Sequence, residues 1–408
     1  MPLTRKQIYR RRRITVFGGM AVVLALAFYL PLTLLAPLTS VDAVPVSEQQ
    51  LTSAPAVLDL PGYGASGIGA VGYPGLFARS GSKVAQPMAS ISKVITTLVV
   101  LSKKPLTATS NGPRITFGAA DVAIAAQYLA MNGKVDPVSV GETMTEKQVI
   151  QVMLIDSANN YAWSLANWAF GSEQAFLTAA NKWLKAHGMT HTTMLDPCGL
   201  DPGNASTPDD LVAIGKLVVA NPALTPIVAS KRATVAGIGT MHNTNGLLGV
   251  SGINGIKTGT LLSAGASLLF SARLQVGSEV VTLVGVILDG PDHPTIDAQV
   301  KKLISSVRAG FHTVVLAAAG QRFGSFRTVW GATAYAVAPR TTSVVVWSDT
   351  PVSSSVHLNP VSVAAKGSKV GAASYVVKGK RILVTLVLDR AIEDPGPGWR
   401  LSHPGELF

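Results

Sequence analysis

The chain has 408 residues, of which 48% are apolar and only 14% are charged; this composition excludes a disordered protein and allows two or three folded domains. The formal net charge is +12, but six positive charges, Arg5, Lys6 and Arg10 to Arg13, lie within the first 13 residues. The rest of the chain carries +6 without an obvious basic run flanked by aromatic residues, which argues against a nucleic-acid partner.

An uncharged stretch of 23 residues, Ile14 to Ala36, follows the basic cluster. It has about the length that a helix needs to cross a bilayer. Because basic residues stay on the cytoplasmic side, we expect residues 1–13 to be a cytoplasmic tail and residues 14–38 to be a transmembrane signal-anchor, with everything beyond exported. A cleaved signal peptide is the competing interpretation, since Val41-Asp42-Ala43 offers small residues at plausible cleavage positions.

Residues 39–57 are polar and contain proline, which predicts a stalk leading away from the membrane. The single cysteine, Cys198, cannot form an intramolecular disulfide, so the exported part must rely on its core. Cys198 lies in the loop-like sequence LDPCGLD with no histidine nearby, and we expect it to be structural.

The segment GYGASGIGAVGYPGLFARSGS has two short apolar runs separated by Gly-Tyr-Pro-Gly, which predicts a hairpin. After Pro87 the apolar residues Ile91, Ile95, Leu98 and Val99 recur at helical spacing, which predicts an amphipathic helix that begins at Ser90.

Helical segments follow, with capping signals at Thr145, Ser172 and Thr207. From Ala264 the apolar period becomes two, which predicts paired strands followed by a helix. Beyond about residue 322, short strand-like runs are separated by Gly, Pro, Ser and Asn. We therefore predict an α/β (α+β) domain over residues 58–312, followed by a small all-β domain over residues 322–408.

Three short motifs stand out in this layout. Ser90-x-x-Lys93 lies at the predicted helix start, Ser157-Ala158-Asn159 follows an apolar helix, and Lys257-Thr258-Gly259 precedes a strand. A second Ser-x-x-Lys, Ser80 to Lys83, lies in a glycine-rich loop. Each motif alone is weak evidence, but the order of the three, with 67 residues from Ser90 to Ser157 and 100 more to Lys257, is specific.

In that order and context the sequence resembles the serine penicillin-recognising enzymes, and within them the low-molecular-mass D-alanyl-D-alanine carboxypeptidases. The resemblance covers roughly residues 60–290 and includes ASISKVITTLVVL, STPDDLVAIGKL, HNTNGLL and GINGIKTG. It implies an α/β domain with an antiparallel sheet and a helical cluster, with a β-rich domain after it in many members. It also implies a bacterial plasma-membrane protein whose catalytic domain faces the cell wall.

The resemblance assigns roles to the matching residues. Ser90 would be the nucleophile that forms an acyl-enzyme with a peptidoglycan stem peptide, with Lys93 as its base and Ser157 as a proton relay. The substrate would be bound by Asn159, Lys257, Thr258 and Gly259, and the backbone N–H groups of Ser90 and Thr260 would hold the oxyanion. β-Lactams would be covalent inhibitors.

The chemistry fits these residue types, because a serine hydroxyl needs a nearby base and only a neutral lysine can serve as one. Burial and the second cation, Lys257, would both lower the pKa of Lys93. No metal or other cofactor is needed, although His187 and His191 have the spacing of a zinc pair; Gly188 should end the helix between them.

Several alternatives and departures remain. The enzyme could instead act as an endopeptidase on cross-linked peptides, or the chain could be a non-catalytic wall-binding scaffold. Glu173 is the only glutamate between Ser157 and Lys257, which argues against rapid penicillin hydrolysis. Asn160 stands where the family often has an acid, and DGPDHPTID lacks the arginine that members commonly place near that strand's end. The final residues, PGPGWRLSHPGELF, are too short and broken for an amphipathic anchor.

Overall fold

The computed structural model describes residues 5–46 and 55–408. The chain divides into two units, Pro55–His312 and a second unit that combines Met1–Ala54 with Thr313–Phe408. The division falls where the sequence predicts the end of the 58–312 domain. Residues 1–4 of the predicted tail and residues 47–54 of the predicted stalk lie outside the described residues.

The unit Pro55–His312 is organised around a five-stranded antiparallel sheet. Its strands, in spatial order, are Ile253–Thr260, Ala266–Val276, Glu279–Gly290, Ala65–Ala70 and Ala78–Gly81. The predicted hairpin and the predicted strand pair after Ala264 are both present, and they join because Ala65–Ala70 pairs with Glu279–Gly290. The first strand of this sheet along the chain therefore pairs with the last one.

The helices of this unit cover the sheet and form a separate cluster. They are Ser92–Lys103, Ala119–Ala130, Glu146–Gln151, Asn159–Phe170, Glu173–Ala186, Pro208–Ala220, Thr225–Ala229 and His293–Gly310. Short strand pairs fasten the loops: Gln86–Pro87 with Ala205–Ser206, Arg114–Thr116 with Thr143–Thr145, and Arg232–Val235 with Gly239–His242. The predicted caps form, since the side chains of Thr145, Ser172 and Thr207 accept backbone hydrogen bonds at helix starts.

The helix Ser92–Lys103 differs from its prediction. The prediction was an amphipathic helix with one solvent-exposed face, but the helix is buried on all sides from Ser92 to Leu101. Its polar residues are satisfied internally, because Thr96 donates to the carbonyl of Pro197 and Thr97 donates to the carbonyl of Lys93. Such bonds let polar side chains enter a core at little cost.

The second unit is rich in strands. One six-stranded sheet has the order Val44–Pro45, Arg322–Arg327, Thr333–Val337, Lys380–Leu388, Lys369–Val377 and Val352–Leu358. Further strands are Phe311–Ala317, which leads in from the other unit, and Thr342–Trp347. The core of the sheet includes Phe326, Val346, Tyr375 and Leu386. Together with the first unit, this arrangement confirms the predicted fold class.

The described part of the predicted stalk is ordered against this sheet. Val44 and Pro45 pair with Ser325 and Gly324, and Val41 forms a bridge with Val361. These backbone bonds make residues 41–45 an edge of the β-rich unit, which corrects the expectation of a free stalk for that portion. A pattern of single polar and apolar residues does not reveal an edge strand whose partner lies some 280 residues away (325 − 44 = 281).

The N-terminal helix, Arg5–Leu34, is long and apolar enough to cross a membrane. It begins within the basic cluster and ends two residues before Ala36, so the predicted tail and anchor form one continuous helix over the described residues. Its side chains are exposed along almost the whole length, as expected of a surface that lipid would cover.

Candidate active site

Ser90 lies on a short 3₁₀ turn, Ala89–Ile91, that leads directly into the buried helix Ser92–Lys103. The turn begins with Ala89 at φ +47°, in the left-handed region that alanine rarely adopts. Backbone strain of this kind persists only where surrounding packing imposes it. Ser90 itself is half-buried and faces a cleft.

Lys93 is fully buried one turn further along, and its ammonium group has three acceptors. Nζ donates to Ser90 Oγ at 2.8 Å, to Asn159 Oδ1 at 2.7 Å and to the carbonyl oxygen of Cys198 at 2.8 Å. The first two motifs therefore meet at one nitrogen atom, although 66 residues separate Lys93 from Asn159. Loss of one proton would leave a lone pair within reach of the serine hydroxyl.

Burial lowers the pKa of Lys93 to about 8, against the opposing effects of Cys198 and Asp196. Lys257 is also fully buried, and its pKa is lowered well below the usual value, first by burial and then by the charge of Lys93. The expected effect of burial on Lys93 is thus present. The two buried amines also repel each other, which disfavours charge on both at once.

Lys257 reaches the site from the strand Ile253–Thr260. Its Nζ lies 3.3 Å from Thr244 Oγ1 and 3.4 Å from Thr258 Oγ1, and the two threonine hydroxyls are hydrogen-bonded to each other. Thr244 belongs to HNTNGLL, a segment that supports the resemblance but received no role from the sequence. Thr244 comes to lie next to the Lys-Thr-Gly motif only in the folded chain, so the sequence alone could not show this contact.

The second motif forms the opposite wall. Ser157 follows a π-helical turn, has φ +70° and is 8% exposed, and the helix Asn159–Phe170 begins two residues later. The amide of Asn160 bonds both the N–H and the carbonyl of Asp136, and the N–H of Asn159 donates to the carbonyl of Lys134. A carboxylate at position 160 could not donate to that carbonyl, which accounts for the departure from the family pattern.

Gly259 packs directly on the Ala89–Ile91 turn that carries Ser90. A Cβ at this position would lie 2.9 Å from the carbonyl oxygen of Met88, 3.1 Å from Ala89 Cβ and 3.4 Å from the backbone nitrogen of Ser90. The sequence predicted that glycine lets this strand approach the substrate. In the structure the required close approach is to the Ser90 turn itself.

The motifs converge on a cleft of about 910 Å³. Two of the eight predicted residues, Lys93 and Lys257, lie behind the wall of this cleft. The other six line it: Ser90, Ser157, Asn159, Thr258, Gly259 and Thr260. The cleft is also lined by residues without a predicted role, including Lys134, Asp156, Leu200 and His293. A compact set of polar groups above two buried amines is suited to holding and attacking an acyl group.

His293 is the most informative of the residues that sequence reasoning missed. It is the first residue of the helix His293–Gly310, and its Nε2 lies 2.8 Å from Thr260 Oγ1. Burial and Lys257 lower the pKa of His293, while Asp297 and Asp292 oppose them. The signal was present in DGPDHPTID, which lacks the expected arginine and offers a histidine at the same end of the strand.

The side chains of the other residues considered from the sequence do not line the cleft. Burial raises the pKa of the Cys198 thiol to about 12, which makes it a poor nucleophile. Glu173 accepts a hydrogen bond from the indole of Trp163 and does not line the cleft. His187 lies just beyond the end of the helix Glu173–Ala186 and stacks on Trp183, while the backbone N–H of His191 is bonded to Asp210.

The sequence of this chain is similar to that of a known protein family. The sequence profile of the D-alanyl-D-alanine carboxypeptidases matches residues 76–291, just over half of the chain. The chain belongs to the D-alanyl-D-alanine carboxypeptidase family. The predicted family is therefore confirmed, and all eight motif residues fall within the matched range.

Individual proteins named as D-alanyl-D-alanine peptidases are also similar to this chain in sequence. D-alanyl-D-alanine carboxypeptidase DacA of Escherichia coli K12 is 30% identical over 194 residues, which are 47% of each chain. D-alanyl-D-alanine endopeptidase of Pseudomonas aeruginosa is 32% identical over 256 residues, which are 60% of this chain and 76% of that protein. The chain spans about half the length of the curated carboxypeptidases it matches.

Solved structures support the fold of the family. Penicillin binding protein 5 from Haemophilus influenzae covers 86% of this chain and is itself covered completely, with a TM-score of 0.57 and 21% identity. The Streptomyces K15 DD-transpeptidase, solved as an R248L mutant, covers 60% of this chain with a TM-score of 0.54 and 22% identity.

Proposed function

We propose that the protein is a serine-type D-alanyl-D-alanine carboxypeptidase that removes the terminal D-alanine from peptidoglycan stem peptides. The observation that carries this proposal is the hydrogen bond from the buried amine of Lys93 to the hydroxyl of Ser90. A lysine whose pKa is lowered to about 8 is partly neutral near pH 7.5 and can take the serine proton.

The reaction begins when Ser90 Oγ attacks the carbonyl carbon of the penultimate D-alanine and its proton passes to Lys93. The carbon–nitrogen bond then breaks, and the departing D-alanine takes up a proton that Ser157 relays. Water hydrolyses the resulting ester, which releases the shortened peptide and restores the Ser90 hydroxyl. Each step uses groups that line or adjoin the cleft.

The oxyanion would be held by the backbone N–H groups of Ser90 and Thr260. The close packing of Gly259 on the Ser90 turn supports this assignment, because it brings the end of the strand beside the nucleophile. Backbone donors fixed in this way stabilise the developing negative charge without moving.

The substrate's terminal carboxylate would bind at the other end of the cleft, near Lys257, Thr258, Thr260 and His293. Burial and the charge of Lys93 lower the pKa of Lys257. A bound carboxylate favours the charged form of a nearby amine, so we expect substrate binding to raise that pKa. Asn159, which is already bonded to Lys93, would orient the substrate's peptide amide.

The decisive experiment is covalent labelling with a fluorescent penicillin. Residues 55–408 and the full chain should both be labelled, and Ser90→Ala should abolish the label. Ser80→Ala is the matched control, since Ser80 begins the other Ser-x-x-Lys but donates to the carbonyl of Pro61. Labelling that survives in Ser90→Ala rules out the assignment. Labelling of Ser90 without D-alanine release from a pentapeptide favours the non-catalytic scaffold.

An endopeptidase is the second candidate. It is supported by the Pseudomonas aeruginosa relative, which bears that name and is covered over 76% of its length, against 47% for the E. coli carboxypeptidase. Parallel assays on a monomeric pentapeptide and on a cross-linked peptide dimer separate the two activities, because the same acyl-enzyme forms with a different leaving amine.

We also propose the location of the reaction. The helix Arg5–Leu34 would act as a single-pass anchor in the bacterial plasma membrane, with its basic N-terminal part in the cytoplasm and residues 55–408 outside. Its apolar length supports the anchor, and a cleaved and secreted form is the alternative. Fractionation of cells that express a C-terminally tagged chain distinguishes an intact membrane protein from a shortened secreted one.

A further inference from the structure

The end of the apolar N-terminal helix is bonded to the last residues of the chain. Tyr29 Oη donates to the carbonyl oxygen of Leu401 at 2.7 Å, and Arg400 Nη1 donates to the carbonyl oxygen of Ala36 at 2.7 Å. Arg400 is only 8% exposed and forms a 2.6 Å ion pair with Asp394. The short helix Gly396–Ser402, which cannot anchor the chain alone, is thus held against a helix that can.

The position of Tyr29 fixes the depth of this contact. Tyr29 lies five residues before Leu34, where the helix ends, which corresponds to roughly 8 Å along a helix axis. The contact between Tyr29 and Leu401 therefore lies within the last two turns of the helix, at the end that would face the outer leaflet.

The surface around this contact has the composition of a membrane interface. Trp399 stacks on His403, with ring centroids 4.9 Å apart, and meets Trp330 edge-on at 5.9 Å. Val329 is 53% exposed and Phe408 is 73% exposed. We call these five residues the aromatic collar. Tryptophan, with an apolar ring and a polar N–H, is enriched at the headgroup level of bilayers.

We propose that the aromatic collar inserts into the headgroup region of the outer leaflet, so that a phospholipid bilayer is the partner of this surface. The proposal rests on the membrane anchoring proposed above. The collar adjoins the end of the helix, because Trp399 and His403 flank Leu401, the residue bonded to Tyr29, and Leu32 near that end is 60% exposed. The β-rich unit would then be held at the membrane surface by two adjoining contacts.

Site-directed spin labelling tests the depth directly. A nitroxide at Ser402→Cys, in the full chain reconstituted into phosphatidylethanolamine/phosphatidylglycerol vesicles, should be more accessible to oxygen than to a water-soluble nickel reagent. Ser353→Cys, an exposed position on the strand Val352–Leu358, is the control and should show the opposite preference. The native Cys198 is buried and should not label.

Tryptophan quenching provides an independent measurement. Lipids brominated near the headgroup should quench the wild-type fluorescence, and the Trp330→Phe/Trp399→Phe variant should lose more than half of that quenching. Trp347→Phe, in the same unit, should retain it. Tyr29→Phe with Arg400→Gln should weaken the quenching, whereas Tyr9→Phe, on the exposed early part of the helix, should not.

The results separate this inference from the anchoring proposal. If the chain fails to float with the vesicles in a density gradient, the anchoring itself is wrong and the collar has no bilayer partner. If the chain floats but Ser402→Cys is as water-accessible as Ser353→Cys, the anchor stands and the collar does not touch lipid.

Discussion

Lys93 and Lys257 form a buried pair in which the charge on Lys93 lowers the pKa of Lys257. Lys93 donates to three acceptors, whereas the hydrogen bonds of Lys257 within the described part of the chain go to two threonine hydroxyls at 3.3 and 3.4 Å. An anionic ligand beside Lys257 would favour its charged form.

The pKa of Lys93 predicts the pH dependence of acylation. Lys93 must be neutral to accept the serine proton, so the acylation rate should rise about tenfold per pH unit below pH 8 and level off above it. Stopped-flow acylation by a fluorescent penicillin between pH 6 and 9 measures this profile. Lys93→Ala should reduce the plateau rate by ~10²–10⁴-fold. A flat profile would show that another group is the base.

Gly259→Ala should impair acylation more than folding. The added Cβ would press on the Met88 carbonyl and the Ser90 nitrogen at 2.9 and 3.4 Å, which displaces the nucleophile and the oxyanion donors. We expect a loss of ~10²-fold or more in acylation rate, comparable to the loss of one oxyanion donor. Gly62→Ala, where a Cβ meets nothing within 4 Å, is the control. Equal rates in the two variants would contradict the packing argument.

His293 should make carboxylate binding depend on pH. Its pKa is lowered from 6.5, so it becomes cationic only as the pH falls below that range, and a cation beside Thr260 favours an anionic ligand. The Kd of a D-alanyl-D-alanine peptide for Ser90→Ala should fall severalfold between pH 7.5 and 5.

Calorimetry on Ser90→Ala and Ser90→Ala/His293→Asn isolates this effect from catalysis. The double variant should lose most of the pH dependence, and any remainder reports on Lys257. A ligand with an amide in place of the terminal carboxylate should show no dependence in either protein. Identical profiles for the two proteins would remove His293 from the binding site.

Glu146 should destabilise the fold at high pH. Its side chain is fully buried, neither carboxyl oxygen is hydrogen-bonded to any residue that the structure describes, and burial raises its pKa to about 7. The folded protein thus favours the protonated form: stability is greatest below the ordinary value of 4.5 and is lost as the pH rises through about 7.

Glu146→Gln removes this titration. Its Tm should exceed that of the wild type by ~2–4 °C at pH 8 and by little at pH 5. Thermal unfolding of both proteins at the two pH values measures the difference. Glu279→Gln, at an exposed strand start, should change neither. A wild-type advantage at pH 8 would mean that the carboxylate has a stabilising partner.

Local patterns in the sequence were enough for the fold class, the family and the eight motif residues. Apolar periodicity indicates several of the helices and strands by itself, and Thr145, Ser172 and Thr207 mark helix starts through bonds to residues three positions away. These features depend on neighbours along the chain, so they can be read without knowing the fold. The order of the three motifs then separated Ser90 from Ser80.

The features that the sequence did not predict depend on residues that are far apart along the chain. Lys93 is buried because other helices surround its own, and His293 reaches Thr260 because a helix start and a strand end meet across 33 residues. Val44 joins a sheet through Ser325, and Tyr29 meets Leu401 across 372 residues. Burial, and with it each shifted pKa, is a property of the packed structure. The sequence therefore named the candidate reacting groups, whereas the tertiary structure decided how deeply they are buried and what they touch.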